Sequence, residues 1–280
     1  CIRGIVINNI INRMKGTYMF KHLHLKELKK YNYSHIEPKF FCKAVAENRP
    51  ASKMFSIVAE TWNPVSGCLH QCIYCWARRL AEGKLKNSKR YKHGFIPKLN
   101  VEEFNRKLRG GVIFVSDMGD LFGDFVPDEW IVEVLEYIRC FPNKLFLFLT
   151  KNPSRYMDFD FPENAILGAT IETDKDINYG KISKAPKPSE RIRAMINLDW
   201  NMKFLSIEPI LDFTSEFWEK IVEINPFMIY VGYDNYSNRL PEPTLHKTLQ
   251  LIQKLSEEGF LVLKKTIRRA WYEGEEAKPI

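Results

Sequence analysis

From residue 55 to residue 265 the sequence repeats one rhythm. A short run of β-branched or aromatic residues ends in a polar residue, then come a loop and a helical pattern. The runs are Phe55–Glu60, Val112–Ser116, Leu145–Thr150, Ile166–Ile171, Lys203–Glu208, Phe227–Gly232 and Phe260–Lys264. Leu145-Phe146-Leu147-Phe148-Leu149 lacks any polar alternation, as expected of a parallel strand buried on both faces. Helices are expected over Asp128–Phe141, Pro188–Leu198 and Leu240–Glu258, with proline near each start and Pro142 or Gly259 marking an end. Such alternation implies βαβ units with right-handed crossovers, hence a parallel sheet left open or curled into a barrel.

The strand ends carry a second signal. They are Glu60, Ser116-Asp117, Thr150-Lys151, Glu172, Glu208, Asp234 and Lys264-Lys265. In an α/β barrel the chemistry sits at the C-terminal ends of the strands. The plain reading of any one such residue is that a strand ends where solvent begins.

Six cysteines, at positions 1, 42, 68, 72, 75 and 140, do not suit a disulfide scaffold in a chain of 280 residues. Three of them crowd into Cys68-Leu69-His70-Gln71-Cys72-Ile73-Tyr74-Cys75, which points to metal or cofactor ligation in a reducing, cytoplasmic setting. Cys140 follows the apolar stripe Ile131, Val134, Leu135, Ile138 and is expected to be a buried small hydrophobe. No apolar run reaches the roughly 20 residues needed to cross a bilayer, so no membrane role is expected. Residues 1–50 read as an N-terminal extension that begins with Cys1 rather than methionine, with residues 51–280 as the barrel domain.

Charge is uneven along the chain. Residues 1–110 hold 22 basic and 7 acidic residues (+15), and residues 111–280 hold 20 and 27 (−7). Seven of the basic residues lie between Arg78 and Lys92, just after the cysteines. Such a stretch can follow a phosphate backbone, or can be a solvated surface.

The spacing C-x3-C-x2-C after the first strand offers three thiolates to a [4Fe–4S] cluster and leaves one iron open. Soft sulfur ligands serve zinc as well, with His70 or Cys42 as the nearest fourth ligand. The cysteine pattern, with Tyr74 before the third cysteine, resembles the radical S-adenosylmethionine (SAM) superfamily. A narrower resemblance, to the phage Gp37/Gp68-type radical-SAM-like family, is carried by Thr61-Trp62-Asn63-Pro64-Val65-Ser66-Gly67-Cys68 and Val115-Ser116-Asp117-Met118-Gly119-Asp120-Leu121-Phe122. Leu149-Thr150-Lys151-Asn152-Pro153, Ile207-Glu208-Pro209-Ile210-Leu211 and Ile229-Tyr230-Val231-Gly232 extend it. The chain departs from that family at Gly232-Tyr233-Asp234-Asn235, where a Gly-Gly-Glu-Ser-like stretch is usual.

The resemblance implies a partial TIM barrel, a (β/α)6-like parallel barrel. It implies a [4Fe–4S] cluster on Cys68, Cys72 and Cys75, with SAM on the open iron. It places Ser116, Asp117 and Asp120 near the SAM amino group, Thr170 and Glu172 near the ribose, and Ser206 and Glu208 near the adenosine. Lys151, Asp234 and Lys264 are then candidate catalytic residues, and Trp62 and Tyr233 candidate stacking rings. Expected partners are a reductant such as a ferredoxin or flavodoxin, and a nucleic acid or nucleotide substrate. The rival expectation is a zinc-stabilised, non-catalytic nucleic-acid-binding protein.

Overall fold

The structure, a computed structural model, describes residues 55–274. The extension over residues 1–50, with Cys1 and Cys42, lies outside the described residues. The elements are β1 (Glu60–Trp62), β2 (Val65–Ser66), α1 (Trp76–Glu82), β3 (Lys98–Leu99), β4 (Val112–Val115), α2 (Asp128–Arg139) and β5 (Leu145–Thr150). They continue with β6 (Ala165–Thr170), α3 (Pro188–Asn197), β7 (Lys203–Ile207), α4 (Phe217–Ile224), β8 (Met228–Val231), α5 (Leu245–Glu257) and β9 (Val262–Lys264).

Seven strands form one sheet in the order β1-β4-β5-β6-β7-β8-β9, and every pairing is parallel. Successive strands of this sheet are thus neighbours in space, with β1 and β9 at its edges among the described residues. This is a partial TIM barrel. β2 and β3 form a separate antiparallel pair beside the cysteine loop.

The sheet buries both faces, and side chains alternate between them. Val112 and Phe114, Leu145 and Leu147, Ile166, Phe204, Met228 and Tyr230 fill the barrel interior. Ile113, Val115, Phe146, Phe148, Leu167, Leu205, Ile229 and Val231 face outward, against Ile131, Leu135, Met195, Ile221 and Leu255 of the helices. This two-sided burial is why the strands lack polar alternation.

Phe55 plugs the interior. Its ring lies 5.2 Å from Phe204, 5.6 Å from Phe114 and 4.8 Å from Tyr230. Gly168 leaves room for Phe204: an added Cβ would lie 2.3 Å from the Phe204 ring and 2.9 Å from the Phe148 carbonyl. Gly168→Ala is expected to cost about 1–3 kcal/mol by overpacking. A denaturant midpoint measures this, and an unchanged midpoint would show that Phe204 moves aside freely.

Three expectations are corrected. The first strand is Glu60–Trp62, not Phe55–Glu60; Phe55–Val58 forms a turn, with the Val58 N–H bonded to the Phe55 carbonyl at 3.0 Å. Glu60 therefore starts its strand, and its carboxylate accepts from Arg106 and the N–H groups of Arg109 and Gly110, away from the site. The last helix starts at Leu245, because Pro241 and Pro243 delay it until Thr244 can cap it, its side chain accepting from the Lys247 N–H. Cys140 is exposed. It lies two residues past Ile138, about 200° round the helix and so off the buried stripe.

Candidate active site

The cysteine loop follows β1 and is held on both sides by backbone. Gly67 and Cys68 donate N–H groups to the carbonyls of Met118 and Phe95 at 2.9 and 3.1 Å, and Ile73 to Ile182 at 3.0 Å. Gly67 has φ +90°, and a Cβ there would lie 2.1 Å from the Ile96 carbonyl oxygen, so only glycine lets the loop enter here.

The three thiols line one cavity of about 420 Å³. Each has a donor or hydroxyl at sulfur: the His70 N–H at 3.4 Å from Cys68 Sγ, the Ser183 hydroxyl at 3.1 Å from Cys72, and the Arg78 N–H at 3.3 Å from Cys75, which caps α1. Burial pushes the Cys68 thiol well up, with Asp120 adding to it, and burial pushes Cys75 up as well. Among the described residues no three His, Cys, Asp or Glu side chains converge on a point where one metal ion would sit.

Two of the five residues between the ligands are anchored to carboxylates that follow strands. His70, between Cys68 and Cys72, contacts Asp120 through Nε2 at 3.0 Å. Asp120 also accepts from Thr150 Oγ1 at 2.6 Å, the Lys151 N–H at 2.9 Å and the Phe122 N–H at 3.1 Å. Burial opposes its charge, but the bond to His70 and the others outweigh that and hold the carboxyl below its usual range. Tyr74, between Cys72 and Cys75, donates its hydroxyl to Glu172. Lys151 also binds Glu172 Oε1, Tyr179 donates to it at 3.0 Å, and Arg191 holds Oε2 at 2.7 Å. Glu172 and Arg191 are both 0 % exposed.

The other expected residues separate by strand parity. Asp117, Thr170, Ser206, Glu208, Lys151 and Asp234 line the cavity with Asp120. Asp117 accepts from Asn63 Nδ2 at 2.6 Å and has no cationic partner among the described residues; burial pushes its carboxyl up. Ser116 is buried with φ +57°, and its hydroxyl has no hydrogen-bond partner among the described residues. Asp234 spends its carboxylate on its own loop, accepting from the Tyr236 N–H and from Asn238.

Neither Ser116 nor Glu172 is part of the lining, and Lys264 is exposed on the outer face. Lys265, one position on, turns inward instead and pairs with Glu208. Burial pushes the Glu208 carboxyl up, and Lys265 only partly offsets it. Gly232 makes room for that pair: a Cβ there would lie 3.0 Å from the Lys265 Cβ and 3.3 Å from Glu208 Oε1. Of the two candidate stacking rings, Tyr233 lines the cavity and Trp62 does not. Trp62 is fully buried against Phe104 and Tyr137, and the Tyr233 hydroxyl bonds Thr248 and the Pro243 carbonyl.

The profile of a family described as a protein of unknown function (DUF5131) matches residues 53–224. The chain belongs to this family. The match takes in the cysteine loop and the first five strands of the main sheet, so the site lies largely inside the DUF5131 region. No curated protein matches.

Among solved structures, the DUF5131 chain is similar to three mutant forms of spore photoproduct lyase. One has 13 % identity and a TM-score of 0.46, covering 77 % of this chain and 66 % of that one. A second, with dinucleoside spore photoproduct, has 12 % identity and a TM-score of 0.45 over the same shares. The third has 11 % identity and a TM-score of 0.49, covering 94 % and 87 %. The chain thus spans just under two thirds of the length of the first two. No helix among the described residues is long and apolar enough to cross a membrane.

Proposed function

We propose that this chain is a radical SAM enzyme whose [4Fe–4S] cluster is held by Cys68, Cys72 and Cys75. The observation that carries the reading is the cysteine loop itself. Three thiols in the C-x3-C-x2-C spacing line one cavity at the C-terminal ends of a parallel partial barrel, each with a hydrogen-bonding neighbour at sulfur. Thiolates spread along a loop suit a cluster, with one iron per sulfur, better than a single zinc ion. Among the described residues no three His, Cys, Asp or Glu side chains, His70 included, converge on a single ion.

When bound there, the cluster and SAM, with a reductant such as a ferredoxin or flavodoxin, would supply reductive cleavage of the sulfonium C–S bond and, through it, hydrogen abstraction from the substrate. The chain's own residues fit that group. Asp117, half-buried in the lining without a cationic partner among the described residues, offers a carboxylate to the SAM amino group. Thr170 and Ser206 offer hydroxyls to the ribose and adenosine side of the cavity. Glu172 is spent on Tyr74, Lys151, Tyr179 and Arg191, so its role is to position the loop rather than to bind SAM. The Glu208–Lys265 pair is left as a donor and acceptor for substrate.

Anaerobic reconstitution tests the reading. About four irons with matching sulfide per chain are expected. SAM should change the electron paramagnetic resonance spectrum of the reduced protein, and excess reductant should release 5′-deoxyadenosine. Stoichiometric zinc without acid-labile sulfide would establish the rival reading.

A further inference from the structure

We infer that the rim of the cavity is a binding surface for single-stranded nucleic acid. The inference rests on the radical SAM reading for what happens inside the cavity, but not for the binding itself.

Two walls meet at the rim. One is α1 and the segment running on to β3. Trp76, Ala77 and Phe95 line the cavity, and Leu80, Leu85 and Tyr91 pack with them. The exposed side of that wall carries Lys84, Lys86, Lys89 and Lys92, none with an anionic partner among the described residues. Arg90, in the same stretch, is taken up by Glu102 and Glu103. Four neighbouring lysines left without a counter-charge form a surface that attracts phosphates.

The opposite wall is the loop after β8. Tyr236 lines the cavity yet is 51 % exposed, and the Arg79 guanidinium of α1 lies 5.5 Å from its ring. Arg79 also donates to Asn238, so the two walls are joined. Beyond them, half-exposed Trp271 and Tyr272 meet edge to face at 5.5 Å, with Arg239 5.9 Å from the Trp271 ring. Asp234 and Arg268 fix the loop's shape through the Tyr236 and Asn238 N–H groups and the Asp234 carbonyl.

Exposed rings beside arginines offer faces on which other planar groups can stack. Bases do so, and only unpaired bases present a free face. The three cysteines line the cavity, and a base inside a duplex could not reach into that cavity without leaving the stack. Lysines on one wall and stacking rings on the other therefore fit one strand, its backbone along residues 84–92 and its bases toward Tyr236 and Trp271.

The test is fluorescence anisotropy of labelled oligonucleotides, DNA and RNA, single-stranded and duplex, titrated with cluster-loaded protein over a range of salt. Single strands should bind more tightly than duplex, with log K falling linearly in log salt. Replacing Lys84, Lys86, Lys89 and Lys92 together by glutamine should flatten that slope by about 2–3, at about 0.7 per phosphate contact on a single strand. Tyr236→Leu and Trp271→Leu should each weaken binding on the order of tenfold without changing the slope. Equal slopes in the wild type and the four-lysine variant, or duplex bound as tightly as single strand, would overturn the inference.

Thermal unfolding, iron content and 5′-deoxyadenosine release on the same samples keep the two readings apart. Lost binding with cluster and SAM cleavage intact counts against the rim alone. Intact binding by a protein that holds no iron counts against the radical SAM reading alone.

Discussion

Cys68→Ala, Cys72→Ala and Cys75→Ala should each lose iron and sulfide almost completely, and with them all 5′-deoxyadenosine formation. A cluster held by only three protein ligands has no spare thiolate when one is removed. Cys140→Ala should retain full iron, because that thiol is exposed beyond α2, outside the cavity lining. Equal loss in Cys140→Ala would mean a different ligand set. His70→Ala and Asp120→Asn extend the test to the loop's anchor. His70 and Asp120 are positioning residues, since neither is needed as a ligand, so these variants should bind cluster with lower occupancy and lose it faster to a chelator. Their folded apo-protein should show faster hydrogen exchange at Gly67–Cys75 than wild type. Unchanged exchange there would mean the backbone bonds of Gly67, Cys68 and Ile73 suffice to hold the loop.

Much of this architecture was legible because strands buried on both faces leave an unmistakable trace. Leu145–Thr150 and Lys203–Ile207 lie where the apolar runs predict them, within a residue at their ends. The first strand misleads because its neighbour is apolar for another reason: Phe55, Ile57 and Val58 are buried as the plug of the barrel, not as a strand. Helix α1 leaves little pattern, since it spans seven residues and is capped by a cysteine. The end of α4 has a sequence mark in Asn225, which takes the left-handed region, φ +54°, as asparagine often does.

The site was legible as a face but less so as a set of roles. Counting in twos from Leu261 and Leu263, both inward, selects Lys265 rather than Lys264. That parity lies in the sequence, yet it needs a correct strand register to apply. The roles of Asp120 and Glu172 could not be read this way. Each is a strand-end carboxylate of the expected type, but its partners, His70 at a separation of 50 residues and Tyr74 at 98, come together only on folding.

Glu172→Gln should be the most destabilising single change in the chain. The carboxylate is fully buried and faces two cations, Lys151 and Arg191, with hydroxyls from Tyr74 and Tyr179 filling its remaining lone pairs. Removing its charge leaves two buried cations without an anion, and breaking a buried pair in this way costs about 3–5 kcal/mol. For a domain of this size that corresponds to a fall in Tm of roughly 10 °C. The Arg191 Nε and Nη2 atoms already lack partners, so nothing nearby is ready to take over.

The pH dependence follows from the same network. Burial opposes the Glu172 charge, but Arg191 and then Lys151 outweigh it and hold the carboxyl well below its usual range. A carboxylate depressed on folding contributes its full stability above the unfolded pKa of about 4.3 and loses it as pH falls from there toward the native value. Wild type should therefore lose stability on acidification more steeply than Glu172→Gln, which starts lower at neutral pH. The double variant Glu172→Gln/Arg191→Met removes one stranded cation and should recover part of the loss, so the two changes are not additive. If the single variants sum to the double, or if Glu172→Gln melts with wild type, the buried charge network is not what holds Tyr74 and the cysteine loop against β6.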